Sequence, residues 1–153
     1  MRSVILFLLV LTAIVTASPE GDMSTVIDAL YRADGETVYK GLTIENQEAL
    51  AMVIAMVRLA PDQIALQLRQ LLDVQISPSE VTSLSEQELI TVIIDSPFFR
   101  NEIPNSRDMI ACDSHTMLGD TALVYISIVN EDSVYRYHMM FQEGTWRIAE
   151  SFF

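Results

Sequence analysis

The tightest constraint on this chain lies in its second half, where the hydrophobic pattern changes period at Arg107 and every later break is short. From there apolar and polar residues alternate with a period of two, the signature of strands with one buried face. The alternating stretches span 107–117, 121–130, 134–142 and 145–152, and Gly119-Asp120, Glu131-Asp132 and Glu143-Gly144 lie in the links between them. A link of two or three residues cannot carry a crossover, so consecutive strands must pair antiparallel. The expected second half is therefore a four-stranded meander.

The first half repeats at three and four instead. Val26, Ile27, Leu30 and Tyr31 mark a helix beginning near Ser24 and ending at Asp34-Gly35, with a short extra turn through Val38 and Tyr39. Thr43 is placed to cap a second helix, whose buried stripe is Leu50, Val53, Ile54 and Val57. Met52, Met56 and Leu59 widen that stripe, with core filling as the ordinary use of such methionines. Pro61 suits the first position of a third helix, buried through Ile64, Leu68, Leu71 and Leu72 and closed by Ile76 and Pro78. Ser85 and Glu88 have capping-box spacing for a fourth, which turns Leu89, Val92 and Ile93 inward and stops at Ser96-Pro97. Residues 98–105 read as a loop. Helices first and an antiparallel meander after define an α+β domain, with the helices packed on one face of a curved, cone-like sheet.

The start of the chain has a different character. Arg2 precedes the apolar run 4–11 and the small residues that end at Ala17, which are the three parts of a secretory leader. The expectation is a signal peptide over 1–17, cut after Ala17, and a single domain over 18–153 in the periplasm or outside the cell. The apolar run is shorter than the roughly 20 residues a bilayer span needs, so no stable membrane insertion is expected after cleavage. Cys112 is the one cysteine, so no internal disulfide can form despite the oxidising destination. The chain carries 21 acidic residues against 9 basic ones and a net charge of −12. Such a surface repels phosphate backbones and anionic headgroups, which argues against a nucleic-acid partner.

Strand alternation nominates the candidate site residues. On the third strand Tyr135, Tyr137, Met139 and Phe141 share one face, with Arg136, His138 and Gln142 on the other. Trp146 and Ile148 align on the fourth strand, and Glu150 falls on the same apolar face. A carboxylate among aromatics would have a raised pKa and could act as a general acid or base. Asp113 stands two residues before His115, so alternation puts them on one face as an Asp–His couple. His138 lies two strands from His115, about 9–10 Å at least, too far for one shared metal ion. No metal or cofactor is expected. The ordinary readings are a solvated chain end for Glu150, solvated histidines and a buried, unreactive Cys112.

Gly119-Asp120-Thr121-Ala122-Leu123-Val124, followed by Glu143-Gly144-Thr145-Trp146-Arg147-Ile148, resembles the ending of the nuclear-transport-factor-2-like superfamily, which overlaps the cystatin-like cone folds. The resemblance covers roughly the last third of the chain. It implies a cone-shaped cavity between helices and concave sheet. Relatives use that cavity for proton-transfer enzymes such as ketosteroid isomerase, for dehydratases, for apolar ligands or for dimerisation, so the fold alone does not choose. The favoured expectation is a non-enzymatic exported domain that binds a small apolar ligand or a protein partner through Tyr135, Tyr137, Met139, Phe141 and Trp146. A homodimer through that tyrosine–methionine face is a further expectation. The alternatives are an isomerase or dehydratase using Glu150 or the Asp113–His115 couple, and a structural or inhibitory interaction protein.

Overall fold

The computed structural model describes residues 17–149. The leader expected over 1–17, apart from Ala17, and the candidate acid Glu150 lie outside the described residues. The domain is α+β. Among the described residues, seven helices are followed by an open four-stranded antiparallel sheet in the order β1-β2-β3-β4, not closed into a barrel.

Helix α1 (Pro19–Arg32) starts earlier than the apolar stripe suggests, because the Ser18 side chain accepts a hydrogen bond from Gly21 N and Pro19 occupies the first turn. It ends on Ala33 in the left-handed region at φ 54°, and Asp34 caps the next helix, α2 (Gly35–Lys40), rather than closing this one. Gly35 is needed for a close approach. A Cβ there would sit 2.3 Å from the Gln87 carbonyl oxygen and from Thr91 Oγ1, on the helix against which α2 packs.

Helix α3 (Ile44–Val57) is capped by Thr43 as expected. Leu50, Ile54 and Val57 are buried, but Met52 and Met56 are 63% and 61% exposed, so they fill no core. Helix α4 (Pro61–Leu72) buries Ala65 and half-buries Ile64, Leu68 and Leu72, while Leu71 faces solvent. Pro78 does not merely close that segment. It opens α5 (Pro78–Ser83), with Ser77 and Glu80 forming a complete capping box. The expected box at Ser85 and Glu88 opens α6 (Glu86–Ile94), which buries Leu89, Ile90 and Ile94, with Val92 and Ile93 half-buried. Pro97 then opens α7 (Pro97–Glu102) beneath a Ser96 cap, where a loop was expected.

The strands are β1 (Ile110–Leu118), β2 (Thr121–Ile128), β3 (Val134–Gln142) and β4 (Thr145–Ile148), and a 3-10 turn over Arg107–Met109 precedes them. In the β3–β4 link Glu143 and Gly144 both have positive φ, the mirror-image turn that matches strand twist. Residues 41–43 run beside β4: Ile148 N donates to Gly41 O at 2.7 Å and Thr43 N donates to Ile148 O at 3.1 Å. Met23, Val26, Ile27 and Ala29 of α1 are buried with Ala122, Val124 and Ile126 of β2, Met139 of β3, and Trp146 and Ile148 of β4. Arg107 ties α1 to the sheet through Asp28, Ser24 and the Ile110 carbonyl. No single helix among the described residues is long and apolar enough to cross a membrane.

Candidate functional site

A partly open cavity of about 890 Å³ lies between the helices and the inner face of the sheet. Met23, Val26, Ile27 and Leu30 of α1 form one wall, continued by Ile90, Ile93 and Ile94 of α6. Ile110, Ile126 and Ile128 form the sheet side, joined by Tyr135 and Tyr137. Phe99, Ile103 and Pro104 close a third side, from α7 and the segment after it. The exposed rim is mostly polar, with Asn101, Glu102, Asn105, Asn130 and Glu131, and Val129 and Tyr135 are exposed beside them. No lysine, arginine or histidine stands among the described lining residues.

Three contacts hold this lining. Tyr31 Oη donates to the Pro104 carbonyl at 2.7 Å, which ties the segment after α7 to α1. Arg100 donates from Nη1 to the Leu30 and Tyr31 carbonyls, satisfying acceptors at the C-terminal end of α1. Tyr135 Oη donates to Glu131 Oε2 at 2.8 Å. That bond favours the protonated phenol, and with the nearby negative charge it pushes the Tyr135 hydroxyl above its ordinary range. Burial likewise pushes Tyr31 up, against the opposing charges of Arg107 and Arg100.

Of the five side chains expected to contact ligand, Tyr135 and Tyr137 line the cavity. Met139, Phe141 and Trp146 do not. Their end of the sheet is filled by the start of α1: Trp146 N donates to Asp22 Oδ2 at 2.8 Å, and its Nε1 donates to the Ala17 carbonyl at 3.0 Å. Met139 is fully buried there, and Phe141 packs its ring on Trp146 at 5.3 Å. On the tyrosine–methionine face Met139 is thus buried and Tyr137 half-buried, while Tyr135 and Phe141 stay exposed.

The Asp113–His115 couple is not assembled. A bulge between Cys112 and Ser114 shifts the register, so residues 113 and 115 no longer share a face. Asp113 accepts from Ser127 Oγ on the outer side, while His115 stands opposite buried Val124 and pairs with Glu20 of α1 at 2.5 Å between Nδ1 and Oε1. Burial acts to raise the Glu20 carboxyl, but the hydrogen bonds and charge it meets, His115 foremost, bring it below its ordinary value. Neither residue lines the cavity. His138 lies opposite Leu123 on the outer face. Cys112 is half-buried, and burial pushes its thiol up, away from the reactive thiolate. Among the described residues no group of three His, Cys, Asp or Glu side chains could hold a metal ion.

Glu102, Glu131 and the α6–α7 wall are the lining that strand alternation missed. Ser96-Pro97 was a usable signal for α7, since proline fits the first turn of a helix as well as the stop of another. A second, shallower depression holds Glu36, Lys40, Glu143 and Arg147, whose charges are already paired as Lys40–Glu36 and Arg147–Glu143. No family model, curated protein or solved structure matches the chain.

Proposed function

We propose that this chain is an exported, non-enzymatic domain of the nuclear-transport-factor-2-like kind that binds a small apolar ligand between its helices and its sheet. The observation that carries this reading is the cavity itself. At about 890 Å³ it falls within the 300–1,000 Å³ usual for small-molecule sites. Its walls are mostly aliphatic and its polar groups sit at the rim, as such sites require. The proton-transfer alternative has less support, because Asp113 and His115 stand on opposite faces of β1 and neither reaches the cavity.

The test is to fill the cavity. Ile128 lines it from β2 and is half-buried, so Ile128→Trp places an indole where ligand would lie. The variant should keep the circular dichroism of the parent and lose at least about tenfold in affinity for decan-1-ol by titration calorimetry, a change of about 1.4 kcal/mol. Unchanged decanol binding in a folded Ile128→Trp protein would rule out this site. Export is tested separately, by N-terminal sequencing of chain recovered outside the cytoplasm. A cut after Ala17 removes the carbonyl to which Trp146 Nε1 donates.

A further inference from the structure

We infer that the ligand of this cavity is a cationic amphiphile, an apolar body carrying an ammonium head that rests at the Glu102 and Glu131 rim. The inference builds on the cavity reading above and narrows it to a chemical class.

The argument is charge complementarity. The two rim groups that carry charge near neutral pH are carboxylates, Glu102 and Glu131, and the other exposed lining residues, Asn101, Asn105, Val129, Asn130 and Tyr135, are neutral there. Two arginines act on Tyr31 from beside the cavity, and both are committed elsewhere. Arg100 is bonded to two backbone carbonyls and Asp95, and Arg107 to Asp28, Ser24 and the Ile110 carbonyl. A fatty acid or phosphate ester entering here would therefore bring an anion to two carboxylates with no counter-charge. An ammonium finds carboxylates at this rim instead, Glu131 among them beside the ring of Tyr135, which is 41% exposed and held by its bond to Glu131. That bond uses one carboxylate oxygen, and a carboxylate can accept several hydrogen bonds. The net charge of −12 draws the same class of ligand toward the molecule from a distance.

Three probes of one chain length separate head from body: decylammonium, decan-1-ol and decanoate, each below its micelle concentration at pH 7, measured by titration calorimetry. Decylammonium should bind at least about tenfold more tightly than decanoate with decanol between, and the gap should narrow as salt screens the rim. The double variant Glu102→Gln/Glu131→Gln, whose amide oxygen at 131 can still accept from Tyr135, should close most of the gap between decylammonium and decanoate. Neutralising two exposed carboxylates away from the cavity, with Glu48→Gln/Asp62→Asn, should leave the gap intact. Decanol binding together with equal or tighter decanoate binding would overturn the cationic assignment and leave the cavity reading standing. A gap that survives the rim variant, or that collapses equally in the remote one, would overturn it too. Failure of all three probes to bind would remove the cavity reading and this inference together.

Discussion

At the scale of single residues, two charged side chains tie the first helix to the first strand and the turn before it. Glu20 is one. Its carboxyl titrates below its ordinary value in the folded protein, so its ionised form contributes stability above the unfolded pKa, and that contribution is lost as pH falls through the folded value. Glu20→Gln should therefore lower the unfolding free energy near neutral pH by about 1 kcal/mol, for a partly exposed charged hydrogen bond, and leave stability less sensitive to acid than in the parent. Urea unfolding at steps between neutral and acid pH measures both. A parallel loss at every pH would mean that the side chain matters for packing and not for charge. The other anchor is Arg107, whose three guanidinium nitrogens reach Asp28, Ser24 and the Ile110 carbonyl. Lysine offers a point charge in place of a planar fork. Arg107→Ala should cost about 2 kcal/mol, less than a fully buried pair because both partners are partly exposed, and Arg107→Lys should recover under half of it in the same unfolding assay.

Between elements, α2 makes a close contact with α6. The glycine at the start of α2 leaves its backbone against Gln87 and Thr91, and a methyl group there would lie 2.3 Å from two oxygens and 2.7 Å from a backbone nitrogen. Backbone on one side cannot yield as a flexible side chain would. Gly35→Ala should accordingly cost about 3 kcal/mol through overpacking, despite alanine's higher helix propensity, and thermal unfolding would register it. This contact also explains what the chain discloses of itself. Thr43, Ser85-Glu88, Pro61 and the Glu143-Gly144 turn act through neighbours three or four residues away, so their roles can be read from local sequence. Gly35 acts through Gln87 and Thr91, some fifty residues on, and therefore read as an ordinary helix stop. Pro78 and Pro97 look like stops because a proline that ends one helix looks like a proline that begins another, whereas the Ser77–Glu80 box and the Ser96 cap make them starts. The bulge at Asp113 is set by pairing with β2, and no periodicity within one strand reveals it. Part of the cavity was legible for the same reason: Tyr135 and Tyr137 follow from alternation, whereas the α6–α7 wall depends on how helices stack.

For the whole molecule, the open cavity is a departure from close packing that links binding to stability. Apolar walls left without partner atoms forgo contacts that a filled interior would make. A ligand that supplies those contacts to the folded state alone stabilises it by about 2.7 kcal/mol at a hundredfold excess over its Kd. For a domain of this size that corresponds to a rise in Tm of about 10 °C. Ile128→Trp supplies similar contacts covalently. The free variant should melt at or above the parent's temperature, and added decylammonium should raise the parent's Tm but not the variant's, as read by scanning calorimetry. Equal rises in both proteins would place the amphiphile on the outer surface, where Met52, Met56 and Leu59 offer it exposed apolar area. A variant that melts well below the parent would show instead that this part of the sheet tolerates no added volume, and that the space beside Ile128 is smaller than a bound ligand needs.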